Sequence, residues 1–448
     1  MKLGVPTLCR YDLLDQLLAS AEAGTVKPTG YIIIDNGGGY GRARAAQIVG
    51  QRVGVTLEFV APAENWGVAR SWNHILERAG DEPVVISNDD VLLGADTFAE
   101  MSAAVDRAPF VSGDGWCLFA QQPECTRRIG WYDENFWPAY YEDTDYHVRL
   151  QRAGIVPVRP LSHAVGHAGW STTLALGDPE WLAQGRERNR AYFISKWGGD
   201  SAEAAAFGKP FDGCVSPQWS ERRRMGPFPL RWDILNAVAA MIHARTYLEI
   251  GVGDGTCLRR VTVPTKVGVD PHPAPAALEA CTYVSRRTSD DFFKNESGWQ
   301  FDLVFIDGLH EAHQVYRDVQ NARRVLAPNG VILLHDCYPS SEVMQRVPNQ
   351  GGNWTGDVWK AVARLRSEDG QLVRVVNADY GVGIVVPTDS PAVSAPTRQR
   401  EAPIDLGRRW QDLTWEDLQA RRSELLGLLD PWHWTEWFTQ ATRISRTS

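Results

Sequence analysis

The sequence predicts an α/β protein made of two layered units in series. Its 448 residues exceed what a single hydrophobic core usually holds. In roughly the first 200 residues, short β-rich runs such as "GYIIID" and "EPVVIS" alternate with helical runs. A second alternation follows, with the strand-like runs "TYLEIG", "KVGVD", "FDLVFID", "GVILLHD" and "YGVGIVV". Two consecutive α/β units are the simplest interpretation of this pattern.

Changes in composition along the chain indicate where each unit begins and ends. The helical runs "YDLLDQLLASAEAG" and "GVARSWNHILERAG" of the first unit stop at Gly, a common helix end. Residues 198–229 are rich in Gly, Pro and charge, which indicates a connection. We predict domains at residues 1–207 and 230–388, joined by a linker at 208–229. Residues 389–448 are expected to be a mobile linker and a helical, Trp-rich tail that packs on the body of the protein or on a second subunit.

Charge and hydropathy exclude several classes of protein. The net charge is −9 and no long Lys/Arg block occurs, so we expect no binding to nucleic acid or to an anionic membrane. No run of 18 apolar residues is present, and the first residues lack a secretory signal. The seven cysteines are scattered without metal-ligand spacing, which favours reduced thiols. We expect a cytoplasmic protein without membrane insertion.

An acidic group ends one strand of the first unit. In "VVISNDDVLLG", Asn88, Asp89 and Asp90 follow a predicted buried strand. Open α/β sheets bind ligands at the carboxyl ends of strands, and carboxylates there can hold a divalent cation on a diphosphate. The same residues are typical of an Asx turn that leaves a strand. The motif alone leaves both interpretations open.

A second acidic group opens a helix. In "YYEDTDYHVRLQRAG", Glu142, Asp143 and Asp145 fall in the predicted first turn, where acids are favoured by the helix dipole. A carboxylate there can instead take a proton from a substrate hydroxyl. Both interpretations hold together if Asp145 caps the helix while Asp143 faces a substrate.

The ordered features of roughly residues 1–200 resemble the family 2 type of GT-A glycosyltransferase. The first strand runs into Thr7 and Arg10, and the second strand ends in Asp35. The segments "ENWGVARSWN", "NDD", the "ED" of "YYEDTDYHVRL" and "HAGWS" follow in that order. The resemblance implies a GT-A (nucleotide-diphospho-sugar transferase) fold and inverting transfer of a sugar from a nucleotide-sugar donor to an acceptor hydroxyl.

This resemblance implies a donor site built from residues of several loops. Thr7 and Asp35 would contact the nucleotide base. The donor-site residues that the resemblance implies are Thr7, Arg10, Asp35, Asn65 and Asp89.

It also implies a metal and a base. Asp90, with help from Asp89, and His167 of "HAGWS" would hold Mn²⁺ or Mg²⁺ on the diphosphate, and Asp143 would be the catalytic base. The sequence departs from the family at Asn88, where the family has the first Asp of D-x-D.

The second unit has a glycine-rich turn between a strand and a helix. In "TYLEIGVGDGTCL", Glu249, Gly251 and Gly253 end the strand, and Asp270 ends the next one. Glycines let a ligand approach the backbone, and the acid is placed to accept hydrogen bonds from ribose hydroxyls. Sites for NAD and for S-adenosylmethionine (SAM) share this pattern, so the turn alone does not choose between them.

The segments downstream resemble class I SAM-dependent methyltransferases of the sugar O-methylating type. They are "TSDDFF", "FDLVFIDGLHEAHQVYRDV", "LAPNGVILLHDCYP", "TGDVWKAVARLR" and "DYGVGIVV", in this order. The resemblance implies a Rossmann-like domain that uses SAM. The cofactor residues it implies are Glu249, Gly251, Gly253, Asp270, Ser289 and Asp290, the last two near the adenine.

A polar cluster is expected where the methyl group is delivered. By the resemblance, Asp307 and Asp336 would bind Mg²⁺, His310 would be the general base, and Asp307 would also be catalytic. His335 stands where the metal-dependent enzymes often have a second Asp.

Together the two resemblances imply a bifunctional tailoring enzyme. It would transfer a sugar to a glycan, protein or small-molecule acceptor and O-methylate a sugar. An alternative is a methyltransferase whose first domain binds a glycan or nucleotide sugar without catalysis, which Asn88 favours. The Trp-rich tail is also a candidate for homo-oligomer contacts.

Overall fold

The computed structural model confirms the predicted α/β class. It describes residues 1–50, 52–169, 171–200, 224–295, 298–391, 393 and 402–442. Two compact units are present, of which the first includes Met1–Arg190 and the second includes the chain from Phe228 onward. The predicted linker at 208–229 lies outside the described residues up to 223, as does most of the predicted mobile segment after 391.

The first half of the chain alternates strands and helices, as its sequence pattern predicts. Strands β1–β8 are Lys2–Thr7, Gly30–Asp35, Thr56–Val60, Val84–Ser87, Val91–Leu92, Phe110–Asp114, Leu118–Gln121 and Gly166–His167. Helices α1–α8 are Tyr11–Ala23, Arg42–Val49, Gly67–Ala79, Thr97–Val105, Pro123–Ile129, Glu142–Arg152, Ser171–Leu176 and Glu180–Trp197.

Within the described residues, the main sheet of the first unit has the order β3-β2-β1-β4-β7-β6. Strands β1 to β4 are parallel, whereas β7 is antiparallel to both of its neighbours. The run "GYIIID" is buried at every position, because helices cover both faces of a parallel sheet. The strand order reverses between β1 and β4, so ligands are expected beside the ends of these two strands.

The second half of the chain continues the alternation. Strands β9–β16 are Thr246–Ile250, Thr265–Val269, Tyr283–Ser285, Phe301–Ile306, Leu326–Leu334, Gln371–Val376, Val382–Pro387 and Leu428–Leu429. Helices α9–α14 are Arg231–Met241, Thr256–Arg260, Pro275–Leu278, Ser289–Asn295, Ala312–Arg324 and Val358–Arg366.

The described strands of the second unit form one sheet with the order β11-β10-β9-β12-β13-β15-β14-β16. Strands β9 to β13 are parallel, and β15 runs antiparallel between β13 and β14. The order reverses between β9 and β12, which again predicts the ligand site at the carboxyl ends of these strands.

The tail is helical and Trp-rich, as predicted, and it belongs to the second unit. Its two helices are Trp415–Leu426 and Trp434–Thr442. Leu418, Leu425 and other tail residues join the hydrophobic core of this unit. The short strand β16 pairs with β14 and extends the sheet. The tail is therefore packed on the body of its own chain, and the homo-oligomer contact stays a prediction.

Two further findings bear on the expectations from composition. None of the described helices combines the length and the apolar character that crossing a membrane requires. Every cysteine in the described part of the chain is a free thiol.

Candidate active sites

A cavity of about 680 Å³ opens in the second unit, at the carboxyl ends of β9, β10 and β12. It lies beside the point where the strand order reverses, as open α/β sheets predict. Its lining consists of residues 249–254, 269–271, 288–290 and 307–310 with Arg231, Cys257 and Gln314. The cavity therefore brings together every cofactor residue that the sequence predicted in this unit.

The glycine turn that lines the cavity requires glycine for two different reasons. Gly251 has φ +85°, and a Cβ there would lie 2.5 Å from the carbonyl carbon of Asp307 and closer still to its oxygen. Gly253 has φ +55°, and a Cβ there would meet no atom within 4 Å. Gly251 thus permits close packing of two loops, whereas Gly253 leaves backbone open to a ligand.

Asp270 is held in place beside this turn. Its carboxylate accepts hydrogen bonds from the backbone N–H of Gly253, at 2.9 Å, and of His272, at 2.7 Å. Because one of these donors belongs to the glycine turn, the acid at the end of β10 is fixed relative to the end of β9. This is the arrangement that binding of a ribose diol requires.

Glu249 lies buried beneath the turn. The hydroxyl of Tyr247 donates a hydrogen bond to its Oε2 at 2.7 Å. Burial raises the pKa of Glu249 to about 8, although the bond from Tyr247 opposes the shift. Glu249 therefore holds a proton at neutral pH in the absence of a ligand, and can both donate and accept a hydrogen bond.

The polar cluster predicted from sequence forms beside Gly251, where β12 ends. Nδ1 of His310 lies 3.1 Å from Oδ2 of Asp336, and Nε2 of His310 lies 3.4 Å from Oδ1 of Asp307. Each of these three residues offers one ligand atom within 4.8 Å of the other two. Asp336 has φ +56°, a strained conformation for a residue with a side chain and one that often occurs at functional sites.

Two ionic partners of this cluster, Arg231 and Asp379, were missed by sequence reasoning. Nη1 of Arg231 lies 3.0 Å from Oδ2 of Asp379, and Nε of Arg231 lies 3.9 Å from Oδ2 of Asp307. Nδ1 of His335 lies 3.1 Å from Oδ1 of Asp307 and 3.4 Å from Oδ2 of Asp336. Arg231 belongs to none of the segments quoted from the sequence, and Asp379 begins the quoted segment "DYGVGIVV", which gave it no role; the two residues are 148 positions apart.

These neighbours set the charges in the cluster. Burial by itself would raise the pKa of Asp307, but His335, His310 and Arg231 hold it well below its usual range. Burial opposes charging of His335, yet Asp307 and Asp336 raise its pKa well above the ordinary value. The pKa of His310 is also raised against burial, by the same two carboxylates. The cluster thus stabilises positive charge on its imidazoles.

Trp354 is part of this site, although its place in "NWTGDVWKAV" predicts a core residue of a capping helix. Its indole stacks on the ring of His310, with centroids 5.2 Å apart and planes at 27°. Its carbonyl oxygen lies 3.3 Å from Nδ1 of His310. The core expectation is wrong for Trp354, because the loop before α14 folds over His310, and right for Trp359, which is fully buried.

In the first unit, the predicted donor residues Thr7 and Asp89 meet at the switch point. The hydroxyl of Thr7 donates a hydrogen bond to Oδ2 of Asp89 at 2.6 Å. Burial raises the pKa of Asp89 to about 7, against the effect of the Thr7 bond. Arg10 pairs with the exposed Asp12 at 3.0 Å.

Asp35 and Asn65 have local structural contacts that the sequence did not predict. Asp35 is fully buried, and its carboxylate accepts hydrogen bonds from the Tyr11 hydroxyl and from the N–H groups of Gly38 and Tyr40. Oδ1 of Asn65 accepts from the N–H of Gly67 at 2.8 Å. Both residues shape their loops, and their contact with a nucleotide stays a prediction.

The structure brings the predicted metal residues Asp90 and His167 together. Strand β5 pairs with β8, which places Nε2 of His167 3.4 Å from Oδ1 of Asp90. Nδ1 of His167 lies 3.8 Å from Oδ2 of Asp114, a carboxylate that sequence reasoning missed. A His held between a metal-site carboxylate and a second carboxylate is a common arrangement around metal ions.

The three acids of "YYEDTDY" have three different environments at the start of α6. Asp145 is buried and pairs with Arg149 at 2.6 Å, so the expectation that Asp145 caps the helix is wrong. Glu142 is also buried, which raises its pKa well above the ordinary value. Asp143 accepts hydrogen bonds from the N–H and the hydroxyl of Thr144, and burial raises its pKa.

The base candidate lies near the metal candidates. Burial raises the pKa of the Cys117 thiol to about 12, and the carboxylates of Asp114, Asp90 and Asp143 all act on it in the same direction. Two consecutive residues before α6, Tyr140 and Tyr141, have φ values of +75° and +74°. Consecutive strained residues next to an acid cluster are typical of a site whose geometry is imposed by function.

Residues 248–337 match the family model of a methyltransferase domain. The chain carries a methyltransferase domain. It is therefore an enzyme, and this domain includes the glycine turn and the whole Asp307–Asp336 cluster. A comparison with curated proteins found no match.

Solved structures similar to this chain include both glycosyltransferases and O-methyltransferases. The mannosyltransferase PcManGT from Pyrobaculum calidifontis, in complex with GDP-Man and Mn²⁺, is 18% identical over 46% of this chain and 63% of its own, with a TM-score of 0.35. The O-methyltransferase TomG from Streptomyces achromogenes, in complex with SAM, is 17% identical over 35% of this chain and 79% of its own, with a TM-score of 0.27.

A third similar structure is TarS 1–349 from S. aureus in complex with UDP-GlcNAc. It is 12% identical over 37% of this chain and 57% of its own, with a TM-score of 0.31. The chain thus spans less than two thirds of the length of PcManGT and of this TarS structure.

The methyltransferase domain has a cavity whose walls fit a nucleoside-bearing methyl donor. The carboxylate of Asp270 is fixed at the end of β10, and the backbone at Gly253 has open space before it. The carboxylates of Asp307 and Asp336 fit a divalent cation, since each offers an oxygen within 4.8 Å of the other and of a nitrogen of His310. In the first unit, Asp90 and His167 lie 3.4 Å apart and offer a cation two ligands, one carboxylate and one imidazole.

Proposed function

We propose that the methyltransferase domain transfers a methyl group from SAM to a hydroxyl of a sugar. The observation that carries this proposal is the single cavity that joins a nucleoside-type site, with Gly253 and Asp270, to the cluster of Asp307 and His310. A cofactor site and a proton-accepting cluster in one cavity are what methylation of a hydroxyl requires.

The donor is bound by residues of the glycine turn and of the neighbouring strand ends. Asp270 accepts hydrogen bonds from the ribose hydroxyls, and Glu249, Gly251 and Gly253 bind the amino acid part. Ser289 and Asp290 line the cavity at the side proposed for the adenine. SAM supplies an electrophilic methyl group on a sulfonium.

His310 removes the proton from the acceptor hydroxyl. Its Nδ1 faces two acceptors, Oδ2 of Asp336 at 3.1 Å and the carbonyl oxygen of Trp354 at 3.3 Å, so Nδ1 carries a proton. Nε2 is then the nitrogen that takes the hydroxyl proton. Asp307 and Asp336 stabilise the imidazolium that results. A divalent cation held by the same two carboxylates would lower the pKa of the hydroxyl.

Transfer of labelled methyl from SAM to a panel of pyranosides and nucleotide sugars tests this proposal. We expect methyl transfer to at least one sugar, and we expect His310→Asn to abolish it while the affinity for S-adenosylhomocysteine (SAH) stays unchanged. Full activity of His310→Asn would show that another residue takes the proton. Absence of SAH binding to the wild-type chain would contradict the proposal as a whole.

We propose for the first unit a nucleotide-sugar site that transfers a sugar with inversion. The supporting observation is that Thr7, Asp89, Asp90 and His167 meet where the strand order reverses. Asp90 and His167 would hold Mn²⁺ or Mg²⁺, which neutralises charge on the leaving diphosphate. Asp143 takes the proton of the attacking hydroxyl, and the raised pKa that burial gives it suits a base.

A second candidate function has one observation in its favour. Asn88 replaces an acid of the family motif, and Asp89 is engaged by Thr7 at 2.6 Å. A first unit with a weakened metal site would bind a glycan or a nucleotide sugar without catalysis. Titration with UDP, GDP and dTDP, with and without Mn²⁺, followed by a donor-hydrolysis assay, separates the two. Metal-dependent binding with hydrolysis that Asp143→Asn abolishes supports catalysis, whereas binding without hydrolysis supports the binding module.

The two activities are proposed to act on one sugar in sequence. Fusion of two sites raises the local concentration of an intermediate at the second site. The chain should then methylate the product of its own transfer more efficiently than the same sugar on an unrelated acceptor. Unrelated acceptor preferences of the two units would contradict this coupling.

A further inference from the structure

One wall of the methyltransferase cavity contains a carboxamide surrounded by oxygen atoms. Nε2 of Gln314 lies 3.0 Å from Oδ1 of Asp318, 3.2 Å from Oγ of Ser289 and 3.3 Å from Oδ1 of Asp290. Gln314 lies near the start of α13, and Ser289 and Asp290 begin α12. Gln314 therefore ties two elements of the wall together.

These neighbours fix which way the carboxamide points. Two of the three oxygens belong to carboxylates, which accept hydrogen bonds and do not donate when ionised. A rotation that turned Oε1 toward them would set three acceptors against one another. Asp318 is 1% exposed and cannot turn away easily, so the amino group of Gln314 faces the acids and Oε1 faces elsewhere.

Oε1 of Gln314 is consequently an acceptor with an imposed direction. Among the described residues, no donor bonds to it. Gln314, Ser289 and Asp290 all line the cavity, as does Asp270 of the ribose site. Strand β10, which ends at Asp270, lies between β9 and β11, and α12 with Ser289 and Asp290 follows β11. The base of a nucleoside bound at Asp270 therefore extends toward the Gln314 wall and away from β12, after which Asp307 lies.

We propose that Gln314 recognises the exocyclic amino group of adenine through Oε1, and that Asp318 is the positioning residue that aims it. This rests on the proposed SAM site and adds the residue that selects the base. Adenine presents an amino donor at this position, whereas hypoxanthine presents a carbonyl oxygen, which Oε1 repels. The wall thus admits adenosyl ligands and excludes inosyl ones.

Isothermal titration of the full chain with SAH and with S-inosyl-L-homocysteine tests the proposal. We expect the wild-type chain to bind SAH roughly 10- to 100-fold more tightly, since a buried polar group set against the wrong partner costs about that factor. In Gln314→Met, which keeps the length of the side chain, the ratio should fall to about 3-fold or less. A residue that only supported the fold would weaken both ligands alike and leave the ratio unchanged.

His313→Gln is the matched control, because His313 is the neighbouring residue on α13 and its side chain is 57% exposed. The ratio of the two dissociation constants, for S-inosyl-L-homocysteine and for SAH, should be the same in His313→Gln as in the wild type. A wild-type ratio below about 3, or a wild-type ratio retained in Gln314→Met, would overturn the proposal. A wild-type preference for SAH below about 3-fold contradicts the proposal even if Gln314→Met does not fold. Failure of SAH to bind at all would instead overturn the SAM site itself.

Discussion

Replacement of Gly251 and of Gly253 by alanine should separate two roles of the glycine turn. Both glycines have positive φ, +85° and +55°, where a residue with a Cβ is disfavoured by about 1–2 kcal/mol. Only at Gly251 does the added Cβ overlap backbone, 2.5 Å from the carbonyl carbon of Asp307, where an ordinary contact begins near 3.4 Å. The loops after β9 and β12 must therefore separate by about 1 Å, which is the overpacking that costs a further 1–3 kcal/mol.

These free-energy costs correspond to shifts of the unfolding midpoint that are large enough to measure in a thermal scan. At about 3 °C per kcal/mol for a domain of this size, Gly253→Ala should lower the midpoint by about 3–6 °C and Gly251→Ala by about 6–15 °C. Gly253→Ala should still lose affinity for SAH, because Gly253 lines the cavity and a methyl group would occupy space that the ligand needs. Gly251→Ala should lose both stability and affinity.

Differential scanning calorimetry with and without SAH is the assay. A ligand stabilises only the unit that binds it, so the transition that SAH raises in the wild type identifies the methyltransferase domain. Equal midpoints for the two variants would refute the close-approach argument for Gly251. Full SAH affinity in Gly253→Ala would refute the assignment of this backbone to the ligand site.

Three further predictions follow from other contacts. Gly356→Ala should lower the rate of methyl transfer about 100-fold, because its Cβ would lie 2.7 Å from the carbonyl carbon of His310 and would displace the base. Gly352→Ala is the control, since Gly352 also has positive φ but a Cβ there would meet no atom within 4 Å, and it should retain activity. Equal rates for the two variants would contradict this prediction. Burial raises the pKa of Glu249 from 4.5 to about 8, so the stability that the protonated carboxyl contributes to the folded state is fully present below pH 4.5 and is lost as pH rises through 8. Glu249→Gln should therefore gain thermal stability relative to the wild type at pH 9 but not at pH 5, and a constant difference would refute the raised pKa. His167→Ala should weaken Mn²⁺-dependent nucleotide binding at least about 10-fold, and undiminished binding in titration would remove His167 from the metal site.

Much of the fold was predictable because it depends on patterns of residues that are close together in the sequence. Continuous apolar runs such as "GYIIID" predict strands buried on both faces, and that prediction holds at every position of β2. The glycine turn and the acid at the end of the next strand predicted the cavity through Gly253 and Asp270, which the structure joins by a hydrogen bond. Each of these signals depends on residues that are close in sequence.

The partners of the site residues were less predictable. Asp145 was expected to cap a helix and instead pairs with Arg149, since both side chains are buried on one face of α6. Trp354 was expected in the core and instead stacks on His310. The nucleotide contact of Asp35 stays a prediction, but the hydrogen bonds that its carboxylate accepts from its own loop were not predicted. Local periodicity does not indicate which of several polar groups a side chain will meet.

The sequence by itself determined the α/β class, the two units and the chemical types at the strand ends, because helix and strand periodicity and turn chemistry depend on near neighbours along the chain. Only the tertiary structure decided that Arg231 bonds Asp379 across 148 positions, that His335 lies 3.1 Å from Asp307 and that Gln314 faces Asp318 and Asp290. Strand order and helix packing set those distances, and the charges of a buried cluster depend on all of its members together.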